Sequence, residues 1–177
     1  MFTQKAVFLD RDGTLIKSFL QNGSPIPPSS ISEVETLPGA QEALRIFRRA
    51  NYIPVVITNQ PDVVRGTNNL EEVVAINNLV LKMFDLKHIY TCFHDDEQEC
   101  DCRKPKPGLL LKAAKDLEIN LTTSLMIGDR WRDIYAGQAA GCECYFIDYQ
   151  YTEREPVAPY TRVKSLLDVA LMIVEPK

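Results

Sequence analysis

Val7-Phe8-Leu9-Asp10-Arg11-Asp12-Gly13-Thr14 is the stretch on which the reading of this chain turns. An apolar run, Ala6 to Leu9, ends abruptly on two acids and a glycine. Such a run, with no polar alternation, is what a strand buried on both faces looks like. In an extended chain, residues two apart point to the same side. Asp10 and Asp12 are therefore expected to project together beyond the strand's C-terminal end, where open α/β sheets bind their ligands. Gly13 lets the backbone turn away at once. Two carboxylates this close need different roles. A Mg²⁺ ion would hold one ionised as a nucleophile, while the other would carry a proton and serve as general acid, then base. Calcium loops and plain polar turns share the Asp-x-Asp-Gly pattern, so the rest of the chain has to decide.

Outward from this segment the same kind of run recurs, at Ile53–Ile57, Ile89–Cys92, Ser124–Ile127 and Cys144–Ile147. Helical periodicity fills the intervals. Gly39 to Asn51 puts Ala40, Ala43, Leu44 and Phe47 on one face, and Leu70 to Phe84 does so with Val73, Val74, Ile76, Val80, Leu81 and Phe84. Leu109–Leu117, Trp131–Ala140 and Lys164–Val174 follow, with Gly141 placed to end a helix. Strand and helix alternate, which predicts an α/β fold: a three-layer, doubly wound parallel sheet. Two stretches break the rhythm. Ser18–Leu37, rich in Pro, Ser and Gly, reads as a long loop and a candidate substrate flap, and Cys92–Gly108 holds a cysteine cluster. There is no internal repeat and no linker, so residues 1–177 are expected to form a single domain.

Three further segments end strands or stiffen loops. Thr58-Asn59-Gln60 offers a hydroxyl and amides able to bond phosphate oxygens. Arg103-Lys104-Pro105-Lys106-Pro107-Gly108 presents cations on a backbone fixed by prolines; Arg103 has a planar fork suited to phosphate and Lys104 a point charge. Gly128-Asp129-Arg130-Trp131-Arg132-Asp133 follows a strand as Asp10 does. If those two strands are neighbours, Asp10 and Asp129 reach one hard cation, for which Mg²⁺ is suited. Asp133, one helical turn on, reads best as an acid favouring the helix N-terminus.

Taken in order, these four segments resemble the motifs of haloacid-dehalogenase-like phosphatases, over roughly residues 5 to 148. The resemblance implies a Rossmann-like core. It makes Asp10 the nucleophile that forms an aspartyl-phosphate and Asp12 the acid–base, with Asp10, Asp12 and Asp129 around Mg²⁺. It sets Thr58 on the phosphoryl group and Lys104, rather than Lys106, as the stabilising lysine. Asn59, Gln60, Arg65, Arg103 and Arg130 become substrate contacts.

Cys92-Phe93-His94, five residues, then Cys100-Asp101-Cys102 supplies three thiolates and an imidazole, enough to close a tetrahedral structural Zn²⁺ site, with His88 as a substitute for His94. The intervening acidic loop has no core-forming residue, so zinc would be what orders it. Cys142 and Cys144 read as core. Cys-x-His followed by Cys-x-Cys-Arg-Lys-Pro resembles the zinc-bearing branch of the same family, whose members include D-glycero-D-manno-heptose 1,7-bisphosphate phosphatases and histidinol-phosphate phosphatases. That branch has no large inserted cap domain. Arg65-Gly66 and Lys106-Pro107-Gly108-Leu109-Leu110 favour the heptose enzymes, with removal of the 7-phosphate. The short spacer from His94 to Cys100 and its acids, which suit an amino group, keep histidinol phosphate as the alternative; Phe93 stands where both groups usually carry proline. A catalytically inactive, zinc-stabilised binding protein is the reading from a different class.

The bulk numbers fit a small phosphorylated metabolite. Net charge is −4, with 45% apolar and 25% charged residues, which gives no footprint for nucleic acid or an anionic membrane. No apolar run is long enough to span a bilayer, and no signal layout opens the chain. Five cysteines, three crowded together, read as metal binding before disulfides. A cytoplasmic, monomeric enzyme of carbohydrate metabolism is expected.

Overall fold

Apolar runs without polar alternation are stable only where both faces of the sheet are covered, and the chain alternates its elements to do so. The computed structural model describes residues 3–174. In order they form β1 (Lys5–Leu9), the hairpin β2 (Phe19–Gln21) and β3 (Ser24–Ile26), α1 (Ala40–Arg49), β4 (Tyr52–Asn59), the single turn α2 (Asp62–Arg65) and α3 (Leu70–Met83). Then come β5 (Ile89–Cys92), α4 (Gly108–Asp116), β6 (Leu125–Gly128), α5 (Trp131–Ala140), β7 (Glu143–Ile147), β8 (Thr161–Val163) and α6 (Leu166–Val174). Six strands pair in parallel, in the order β5-β4-β1-β6-β7-β8.

Alternate residues of each strand feed opposite cores. Val7 and Leu9 of β1 pack with Leu44 and Phe47 of α1, Ile76 and Val80 of α3, and Val169 of α6. Ala6 and Phe8 pack on the other face with Leu110 and Ala113 of α4, and Ile134 and Ala136 of α5. The result is the expected three-layer, doubly wound fold of the Rossmann type. The chain builds β1, β4 and β5 to one side, then returns to build β6, β7 and β8 on the other. The strand order thus reverses beside β1, and such a switch point opens a crevice at the carboxyl ends of the strands. β1 and β6 are direct neighbours, with Leu9 opposite Ile127 and the Asp10 amide donating to the Ile127 carbonyl at 3.0 Å. The condition for Asp10 and Asp129 to meet is met.

All five expected strands form, and every expected helix forms within about two residues of its anticipated ends. Two features were not anticipated. β8 is a short edge strand whose Thr161-Arg162-Val163 carries little apolar signal. The loop Ser18–Leu37 contains a hairpin, turned by Asn22 and Gly23, both at positive φ (52° and 78°). Asn-Gly is the usual sequence of such a two-residue turn. Between β1 and β4 the described residues add only this hairpin, one 3₁₀ turn and α1, so no cap domain is inserted there.

Candidate active site

Asp10 leaves the end of β1 only 7% exposed. Its Oδ1 accepts a hydrogen bond from Lys104 Nζ at 2.7 Å, and the same ammonium donates to the Ile57 carbonyl at 2.8 Å and pairs with Asp133 Oδ1 at 2.6 Å. Asp129, from the end of β6, closes the group: carboxylate oxygens of Asp10, Asp129 and Asp133 lie within 4.8 Å of one another. Two glycines make room for this. Gly13, at φ 78°, has Asp129 packed where a Cβ would sit, and Gly128 has the Asp133 carboxyl there. Asp133 also accepts from the Arg130 amide at 2.9 Å. It does bind the first turn of α5, as expected, but it is buried and ion-paired with Lys104, which a solvated helix-end acid would not be.

Three buried acids face one lysine, and a cation is what such a group lacks. Burial raises the pKa of Asp129 well above the carboxylate range, with the Asp10 and Asp133 charges adding to it. Burial also pushes Asp133 up to about 6, against the opposing pull of Lys104. Burial disfavours the Lys104 ammonium, yet Asp10 and Asp133 outweigh it and its pKa is raised. Asp129 Oδ2 accepts from the Tyr151 hydroxyl at 2.8 Å, whereas its Oδ1 is buried with no hydrogen-bond partner among the described residues. A buried carboxylate oxygen left unpaired beside two further acids fits a hard divalent cation.

Asp12 points elsewhere. Its carboxylate accepts from Arg11 Nε at 3.1 and 3.2 Å and from Gln60 Nε2 at 2.8 Å. It does not belong to the acid triad, so the expectation that its side chain joins Asp10 and Asp129 as a metal ligand departs from this arrangement. Arg11 is fully buried, and Nη1 is held by Asn77 Oδ1 at 2.7 Å. Burial raises the pKa of Asp12; the Arg11 charge opposes the rise and Asp10 adds to it. Gln60 also donates to Thr58 Oγ1 at 2.9 Å, and both residues are buried behind the cleft. Asn59 clasps the Lys104 backbone, donating to its carbonyl at 3.0 Å and accepting from its amide at 3.1 Å. The second motif therefore positions Asp12 and Lys104.

The cleft has a volume of about 270 Å³ and is open to Asp10, Asp12, Asp129 and Lys104. Pro25, Ile26 and Pro27 of the hairpin line it, in keeping with a flap. Each cation facing it already has an acid partner. Arg130 pairs with Glu153, while Arg65, Arg103 and Arg132 converge on Asp96. Arg103's hydrogen bonds, helped by Arg132, hold the Asp96 carboxyl down to about 2. Lys106 lies outside, exposed, on the Glu99 carbonyl.

The second cluster is Cys92, His94, Cys100 and Cys102, with Sγ–Sγ separations of 3.2, 3.3 and 3.7 Å and His94 Nδ1 at 3.3 and 3.6 Å from two of them. These are too long for disulfides (S–S about 2.05 Å). They approach the edges of roughly 3.5–3.8 Å that follow from tetrahedral Zn–S and Zn–N bonds of about 2.3 and 2.0 Å. His94, not His88, joins the thiols; His88 faces another hollow, beside Tyr52 and Arg48. Cys142 and Cys144 are buried in the core, as expected.

The model of the haloacid dehalogenase-like hydrolase family matches residues 29–141. The chain belongs to that family. Among curated relatives of this hydrolase, the D-glycero-beta-D-manno-heptose-1,7-bisphosphate 7-phosphatase of Pasteurella multocida is 38% identical over 148 residues, 77% of each chain. Its counterpart in Haemophilus influenzae is 36% identical over 150 residues, again 77% of each. In fold, the hydrolase is similar to the D,D-heptose 1,7-bisphosphate phosphatase of B. bronchiseptica, solved with magnesium and phosphate, at a TM-score of 0.82 over 97% of this chain and 98% of the other, with 24% identity. No helix among the described residues is long and apolar enough to cross a membrane.

Sequence reasoning missed the pairing of Asp133 with Lys104, Tyr151 on Asp129, and Asp96 with Arg132. Asp133 had a signal, its i+4 spacing from Asp129, and Asp96 stood in the acidic loop between His94 and Cys100 without any sign of which cations it meets; for Tyr151, in a loop far from the motifs, there was none.

Two predictions follow from this geometry. Replacing Cys100→Ser lowers bound zinc far below one per chain and lowers Tm, while Cys144→Ser keeps the metal; metal analysis by mass spectrometry reads both, and a zinc-replete C100S protein contradicts the four-ligand site. The raised carboxyls of Asp129 and Asp133 bind protons in a range where free carboxylates do not. A cation has to displace those protons, so Mg²⁺ affinity is expected to fall as the medium becomes more acidic, with Asp133 contributing as pH drops through about 6. Below that it falls by about tenfold per pH unit for each proton displaced. Calorimetric titration between pH 5 and 7.5 checks this, and an affinity independent of pH contradicts it.

Proposed function

We propose that this phosphatase, acting as one domain, removes the 7-phosphate of a heptose 1,7-bisphosphate through an aspartyl-phosphate on Asp10. The observation that carries the chemistry is the buried meeting of Asp10, Lys104, Asp129 and Asp133 at the switch point, beside an unpaired Asp129 oxygen. The names of relatives more than one-third identical over most of their length carry the substrate.

An Asp10 oxygen attacks phosphorus in line as the bond to the sugar oxygen breaks. Asp12, whose raised pKa favours the protonated form, gives its proton to the departing oxygen. It then takes a proton from the water that attacks the aspartyl-phosphate, which releases phosphate and restores Asp10. Lys104 offsets charge on the phosphoryl oxygens and keeps Asp10 aimed. Mg²⁺, held by Asp10 and Asp129 with Asp133 alongside, would supply Lewis-acid stabilisation of the phosphoryl group. Zn²⁺ on Cys92, His94, Cys100 and Cys102 would order the loop that leads directly into Arg103 and Lys104.

Histidinol phosphate has less support. The acid of the zinc loop that lines the cleft, Asp96, is engaged by arginines and offers no open carboxylate to an amine. An inactive binding protein is disfavoured because Asp10, Asp12 and Lys104 all stand in the same cleft.

Asp10→Asn is expected to cut phosphate release from heptose 1,7-bisphosphate by at least about a thousandfold with the fold unchanged. The same assay on the unaltered chain gives a higher kcat/KM for that ester than for histidinol phosphate. Near-full activity of D10N ends the mechanism, and a reversed preference ends the substrate assignment.

A further inference from the structure

Asp96 is the feature of the cleft that the reaction does not use. Its carboxylate accepts from Arg103 Nε at 3.0 Å and Nη2 at 3.4 Å, and from Arg132 Nη1 at 2.9 Å and Nη2 at 3.4 Å, with Arg65 at 3.8 Å. Two guanidinium forks thus spend their paired donors on one side chain. A fork of this kind suits a phosphate at least as well as a carboxylate.

The three arginines and the acid are not held equally. Arg103 is nine-tenths buried and also donates to the His94 carbonyl at 3.2 Å. The Arg132 guanidinium lies over the Trp131 ring, 4.7 Å from its centre. Arg65 is set at the rim by the turn of α2, with its side chain nearly half exposed and reaching Asp96 only at 3.8 Å. Asp96, in contrast, is half exposed on a stretch, 96–99, whose residues are all exposed. Its carboxylate has no other hydrogen bond among the described residues than those to arginine. Two of the three cations, Arg103 and Arg132, are held by contacts of their own, and the anion sits on an exposed part of the loop.

We propose that Asp96 is an internal counter-anion: it occupies a subsite formed by Arg65, Arg103 and Arg132, and the distal phosphate of a bisphosphorylated substrate displaces it. This rests on the phosphoester reading of the cleft and deepens it. A monophosphate, with nothing to place there, leaves the Asp96 pairs intact. A bisphosphate exchanges them for its own oxygens, so the subsite rewards a second phosphate while its positive charge is partly offset in the free enzyme. Asp96 then sets how much that second phosphate gains.

The test is equilibrium affinity for glucose 1,6-bisphosphate against glucose 6-phosphate, by calorimetry with both metals present. An Asp10→Asn background prevents turnover of either ester. Asp96→Asn is expected to raise the preference for the bisphosphate about fivefold, the size of one half-exposed ion pair removed from competition. Asp96→Ser moves it in the same direction, and Arg132→Gln lowers it. If both Asp96 variants leave the preference unchanged or lower it, the acid only aligns the arginines and the proposal is overturned. Phosphate release by the unaltered chain is a separate readout. Its absence would overturn the phosphatase reaction proposed above, whereas the affinity shift needs no turnover.

Discussion

A single buried ammonium organises this molecule. Lys104 Nζ lies between the carboxylates of Asp10 and Asp133 and on the Ile57 carbonyl, in a place where neither an acid alone nor the amine alone would be stable. Four separate parts of the chain have to arrive for that contact to exist. β1 delivers Asp10 and β4 delivers Ile57; the first turn of α5 delivers Asp133, and the loop after Cys102 delivers Lys104 itself. The parallel pairing of β4, β1 and β6 fixes the first three relative to one another. The fourth comes from a loop, and loops need other restraints. Asn59 grips the Lys104 backbone from one side, and the Cys92–His94–Cys100–Cys102 cluster ends two residues before it on the other.

The same contact exposes what the protein chain does not supply. One lysine cannot balance three buried acids, and the Asp129 oxygen without a partner marks where the missing charge belongs. Tyr151 takes the other oxygen of Asp129, so the free one is aimed rather than merely idle. Glycines at 13 and 128 are part of this device, because side chains there would overlap the acids that have to converge.

The fold was legible because its signals are local. Runs such as Val7-Phe8-Leu9 and the periodic face of Ala40, Ala43, Leu44 and Phe47 announce strand and helix without knowledge of partners. The acid-bearing ends of the strands were legible for the same reason: Asp10 follows an apolar run directly and Asp129 follows one across a single glycine. β8 was not, since three residues at a sheet edge bury too little to leave a pattern. The hairpin carried its Asn22-Gly23 signature but sat in a Pro- and Ser-rich stretch that reads as loop. Asp133 shows a deeper limit. Its spacing supports a helix-end acid, and it does bind the Arg130 amide, but only the fold reveals that Lys104 arrives on its other oxygen. Thr58, Asn59 and Gln60 could be placed at a strand end from sequence, yet the direction of each side chain depends on neighbours distant in the chain.

The claim on which the account stands is that Asp10 is the atom donor to phosphorus. Borohydride reduction of the enzyme quenched during turnover, followed by peptide mass spectrometry, tests it most directly. The account predicts reduction of an acyl phosphate at position 10, and at that position alone. A turning-over enzyme that shows no such mark, or carries it at Asp12, Asp129 or Asp133 instead, would contradict it.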